Sequence, residues 1–134
     1  MTNMDALEAL LGAELKIEND VFIKRLNTHF TVKAIDGQTI NKLREQATYH
    51  VGKGKNKRAE VNEEDFKGLL IATACVSPDF GNAKLLEKYG AKDAGDCVYK
   101  ALLAGEITLL QDEILRASGY AEDTDEEIEE VKNS

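Results

Sequence analysis

Two histidines and two cysteines are the residues from which this chain could build a metal or nucleophilic centre, and their spacing argues against both. None of His29, His50, Cys75 and Cys97 lies within five residues of another, and no CxxC, HxxxH or HExxH pattern is present. Cys75 stands in Ala72-Thr73-Ala74-Cys75-Val76, at the end of an apolar helical run where a small core residue is expected rather than an activated thiolate. Gly52-Lys53-Gly54-Lys55 has the composition of a phosphate loop but not the GxxxxGK[ST] spacing, and no buried strand leads into it. It reads as a solvated basic loop, with docking to an acidic protein surface or to RNA as the sharper alternative. No aromatic residue interleaves its bases, so base stacking lacks support. The acid pairs Glu63/Glu64 and Glu126/Glu127 fit a helix start and a charged tail, not two carboxylates in an apolar pocket. The expectation is a chain with no catalytic centre, no cofactor and no bound metal.

The elements that must position these residues are short and sharply punctuated. Met4, Leu7, Leu10 and Leu11 recur at helical spacing and stop at Gly12. Two strands follow, one within Leu15 to Leu26 around Val21-Phe22-Ile23 and one from Phe30 to Ile35, with Asn27-Thr28-His29 as their connection. Asp36-Gly37 breaks the second strand, and Thr39 is placed to cap a helix carrying Ile40, Leu43, Arg44 and Ala47. From His50 to Glu60 the chain has two glycines, four bases (Lys53, Lys55, Lys57 and Arg58) and little to bury, which predicts a flexible loop over about 50–60. Asn62 caps the next helix, whose acidic first turn suits the helix dipole and whose inward stripe reads Phe66, Leu69, Leu70, Thr73 and Ala74. Past Pro78, helices are expected at roughly 82–89, 92–104 and 106–118, with Gly90, Gly105 and Gly119 as separators.

At 134 residues there is room for one core, and with no tryptophan, four Tyr and four Phe that core must be aliphatic. No apolar run approaches the ~20 residues of a membrane span, and Met1 to Asp5 shows no signal-peptide pattern. Cys75 and Cys97 read as buried reduced thiols suited to a reducing cytoplasm. Charge is uneven. Residues 1–20 hold five acids and one base, and residues 121–134 seven acids and one base, while the segment between is slightly basic within a total of −8. Nucleic acid is therefore a poor candidate for the main partner, because phosphate neutralisation needs a clustered positive excess. The fold class is α+β: a single, mostly helical domain over 1–121, with an N-terminal β-hairpin packed on about five short helices, followed by an acidic, mobile tail at 122–134. The expected partner contacts are Lys53, Lys55, Lys57 and Arg58 in the loop, and Glu126, Glu127, Glu129 and Glu130 in the tail.

Taken in order, the chain resembles a known family. Phe30-Thr31-Val32-Lys33-Ala34-Ile35 is similar to its F-x-I-K-x-I strand. Leu43-Arg44, a basic Gly/Lys loop at Gly52 to Arg58, Pro78-Asp79-Phe80, Leu85, Tyr89-Gly90, Leu102-Leu103, Gly105-Glu106, Leu110, Ile114, Gly119-Tyr120 and the acidic C-terminus follow in its order and spacing. The family is that of the XkdN-like tail assembly chaperones of tailed phages and prophages, and the resemblance covers about residues 30–130. It implies a non-catalytic protein of the bacterial host cytoplasm, absent from the mature virion, that keeps the tape-measure protein soluble until tail-tube subunits polymerise around it. The major tail tube protein and further copies of the chain are its other possible contacts. Two alternatives stay open from the residues: a structural tail or head-tail connector protein, and a small adaptor touching nucleic acid through the basic loop.

Overall fold

The computed structural model describes residues 5–120. Six α-helices and five strands occur among them, forming an α+β domain. Strand β1 (Glu18–Ile23) and strand β2 (Thr28–Lys33) pair antiparallel from Glu18↔Lys33 to Ile23↔Thr28. Their alternation buries Val21 and Ile23 on one strand and Phe30 and Val32 on the other. The turn between them is a single 3-10 turn at Lys24–Leu26, closed by Asn27 in the left-handed conformation at φ 50°. Thr28 and His29 thus belong to the strand, not to the connection.

Helix α1 (Ala6–Gly12) precedes the sheet, and helix α2 (Gly37–Gln46) follows it. The cap of α2 is Asp36, whose carboxylate accepts the Thr39 N–H at 2.8 Å. Thr39 supplies that N–H and is not the cap. Ile40 and Leu43 face the core. The segment expected to lack regular structure contains strands β3 (Thr48–Val51) and β4 (Arg58–Val61), paired from Thr48↔Val61 to Val51↔Arg58. Backbone pairing satisfies these groups although they have little to bury.

Helix α3 (Glu63–Ala74) starts at Asn62, whose side chain accepts the Asp65 N–H. Its buried face is Phe66, Gly68, Leu70, Ile71 and Ala74, so Ile71 points inward where Thr73 was expected and Thr73 is exposed. Strand β5 (Cys75–Ser77) follows directly and pairs with β2, giving the three-stranded order β1-β2-β5. Helices α4 (Ala83–Tyr89), α5 (Ala94–Ala101) and α6 (Ala104–Ala117) complete the domain. Asn82 caps α4 and Gly90 ends it at φ 61°, as the sequence indicates. The break between α5 and α6 falls at Leu102-Leu103, and Gly105 lies inside α6. Helix α6 lies against β1 and β2, and α3 contacts α2, α5 and α6. The core is aliphatic around Phe30 and Phe80, whose rings meet edge to face at 6.1 Å. Where α3 crosses α5, a Cβ on Gly68 would lie 3.1 Å from the Gly95 carbonyl oxygen, so only hydrogen fits comfortably between the two backbones.

Candidate protein-binding surface

The fold does not bring together the residues that could do chemistry. His29 lies exposed on β2 beside the Phe22 ring (5.0 Å between centroids), and His50 is exposed on β3. Cys75 begins β5 and Cys97 lies in α5, both buried and free. Burial pushes the Cys75 thiol up to about 12 and raises that of Cys97 as well, the reverse of what a nucleophilic thiolate needs. No group of three His, Cys, Asp or Glu among the described residues is arranged to hold a metal ion.

A polar hollow between α3 and α5, lined by Glu64, Asp65, Asp93, Asp96 and Tyr99, has the composition of a site, but most of these groups serve the scaffold. Asp93 accepts the Asp96 N–H, Asp96 accepts the Lys92 N–H and pairs with Lys100, and Tyr99 donates its hydroxyl to the Glu64 carbonyl. The hydrogen bond from Lys92 and the charge of Lys100 hold the Asp96 carboxyl below its ordinary range. These are capping and cross-helix bonds, which stabilise without offering an open group.

The basic residues singled out from the sequence cluster at the tip of the β3–β4 hairpin. Lys53, Lys55 and Lys57 surround a 3-10 turn at Gly54–Asn56, and Arg58 opens β4. Arg58 is tied to Glu60 at 2.9 Å, and Glu60 also accepts the Tyr49 hydroxyl at 3.0 Å. The hairpin therefore carries a mixed-charge side, and three lysines at its tip remain as cations facing solvent. Glu126, Glu127, Glu129 and Glu130 lie outside the described residues.

The surface that sequence reasoning missed is apolar. An open groove of about 510 Å³ runs between the end of β1, the turn after it and the first turns of α6, lined by Phe22, Ile23, Lys24, Arg25, Gly105, Glu106 and Leu109. Phe22 is 46% exposed and Leu109 39%. Leu26 and Leu103, 44% and 58% exposed, belong to the two segments that meet here. A two-pronged ion pair joins them: Arg25 donates from Nε to Glu106 Oε2 at 2.9 Å and from Nη2 to Oε1 at 2.8 Å, and also reaches the Ala101 carbonyl. Glu106 accepts the Leu103 N–H at 2.8 Å, satisfying a free donor at a helix start whose capping residue has no side-chain oxygen. The bond from Arg25 holds the Glu106 carboxyl below its ordinary range, and Glu106 in turn raises Arg25. The pair fixes the groove's two walls while large apolar side chains stay in water. The period-two alternation of β1 gives Phe22 away, since it occupies an outward position. Nothing local separates Leu103 from the buried Leu102.

A profile of the family described as phage XkdN-like tail assembly chaperone proteins matches residues 7–132. Among solved structures, the chain is similar to the crystal structure of the protein yqbn, a structural genomics target. The TM-score is 0.66 at 19% identity, over 88% of this chain and 99% of that one, which establishes a shared fold. No curated protein matches.

Proposed function

The chain belongs to the XkdN-like phage tail assembly chaperones, and from that premise we propose that its client is the tape-measure protein and that the groove between β1 and α6 holds client helices. The family's role is non-catalytic assembly of phage tails. The observation that carries the finer reading is the groove itself: Phe22 and Leu109 line it and stay exposed beside the Arg25–Glu106 pair, and Leu26 and Leu103 are exposed on the two segments that carry it. Exposed apolar side chains on a fixed concave surface suit the stripe of an amphipathic helix, recognised by groove packing. A tape-measure protein, long and rich in helix, supplies such stripes in quantity. A body of net charge −8 opposes aggregation of the complex. Among the described residues no helix is long and apolar enough to cross a membrane. We place the protein in the host cytoplasm during tail assembly and outside the finished virion.

Co-expression with the tape-measure protein of the same phage tests this. Soluble complex should be captured with the wild type and be reduced with Phe22→Ser or Leu109→Ser, each checked for unchanged thermal unfolding. Mass spectrometry of purified virions should find the chain absent. Abundant chain in mature particles would refute the chaperone reading and favour a structural tail component.

A further inference from the structure

Helix α1 is built to bury a surface that its own domain leaves open. None of its residues is buried, and Leu7, Leu10 and Leu11 are 67%, 77% and 77% exposed. They recur at i, i+3 and i+4, so they form one continuous stripe. Two turns of helix are far below the ~12–15 residues at which an isolated helix becomes even marginal in water, so α1 requires a surface to pack on. Leu15 in the following linker is likewise 70% exposed. The arm therefore extends the apolar surface instead of covering it.

We propose that α1 of one copy packs into the β1–α6 groove of a second copy, and that the exchange is reciprocal, giving a dimer in which each groove is capped by the other chain's arm. Complementarity favours this groove. The arm carries Asp5, Glu8 and Glu14 and no base before Lys16. The groove presents Lys24, which has no ion-pair partner among the described residues, while its Arg25 and Glu106 neutralise each other. Chain length favours a second copy over the arm's own domain. Ile17 is pinned where its carbonyl accepts the Ala34 N–H. The five residues from Ala13 to Ile17 span at most about 17 Å when fully extended. The groove lies at the far end of β1, six residues on, or about 20 Å along the strand. Reaching its own groove would draw the linker out almost completely, and in this structure no residue of α1 lines that groove. A two-fold exchange needs no such extension and closes on itself. Its consequence for the client rests on the reading of the groove given above: a client helix must displace the arm, so free protein is self-capped and its apolar surface is exposed only on exchange.

The dimer can be tested without any client. Sedimentation of the full chain over a range of concentrations should show reversible dimerisation. Leu10→Glu in the arm and Leu109→Glu in the groove should each weaken it at least about a hundredfold, since a charge would enter a desolvated apolar contact in both junctions. Thermal unfolding checks that both variants fold, and α1, with nothing buried, cannot unsettle the core. The decisive sample is the mixture. Leu10→Glu retains an intact groove and Leu109→Glu an intact arm, so together they should recover a heterodimer through one good junction that neither forms alone. A wild type that stays monomeric at all concentrations overturns the proposal, as does a dimer indifferent to Leu10→Glu. A dimer lost in Leu10→Glu but unchanged in Leu109→Glu also overturns it, because the arm would then pack elsewhere. Client capture that fails while the heterodimer forms counts against the client reading alone.

Discussion

Leu102 and Leu103 are identical neighbours with opposite fates, and truncating each to alanine separates them. Leu102, the residue that ends α5, is 7% exposed, whereas Leu103, the residue before α6, is 58% exposed. Leucine to alanine removes three methylene-sized groups, worth about 2.4 kcal/mol when buried, at roughly 0.8 kcal/mol each. The cavity left behind moves the cost of Leu102→Ala to about 3 kcal/mol, within the roughly 2–5 kcal/mol range of such changes. That is a large share of the roughly 5–15 kcal/mol that holds a domain folded. At about 4 °C per kcal/mol for a chain of this size, Tm should fall by roughly 12 °C. Leu103→Ala should stay within about 0.5 kcal/mol, or about 2 °C. Urea unfolding followed by far-ultraviolet circular dichroism gives both values, and an unchanged slope would confirm that the unfolded states are comparable. The same pair should invert in the capture assay, where the folded Leu103→Ala protein loses client. If the two substitutions cost the same stability, the junction between α5 and α6 is misplaced, and the argument for an exposed Leu103 beside the groove fails with it.

The Arg25–Glu106 pair predicts a pH dependence. Because Glu106 has a folded pKa lowered below the ordinary 4.5, its stabilising contribution is complete above that value and is lost as pH falls through the lowered one. The difference in Tm between wild type and Glu106→Gln should therefore shrink as pH drops below 4.5, and a difference that is constant from pH 7 to pH 3 would refute the pair's role. Cys75 and Cys97, buried with raised pKa values, should resist a thiol reagent at pH 8 in native protein and react fully in urea; rapid native labelling would mean that α3 or α5 opens locally.

Short-range chemistry makes part of this protein legible from its residues alone. Asn62 and Asn82 begin helices because a side-chain oxygen reaches the amides next in the chain, and Gly90 ends one because it tolerates a left-handed backbone. The alternation of Val21, Ile23, Phe30 and Val32 specified a hairpin with one buried face. The α+β class, the aliphatic core and the order of motifs that marks the family followed from the same kind of reading.

Features that depend on residues distant in sequence emerge only in the folded chain. β5 is a strand because β2 is there to pair with it, and three residues carry too little local preference to announce that. β3 and β4 exist through mutual backbone bonding across a tip that looks like a loop. Ile71 rather than Thr73 faces inward because the neighbours of α3, not its periodicity alone, set its rotation. Above all, the groove exists only because a turn at Lys24–Leu26 is held against the start of α6 by two side chains that stand 81 positions apart, Arg25 and Glu106. Leu102 and Leu103 share the same chemistry and almost the same position; only that packing buries one and leaves the other in water.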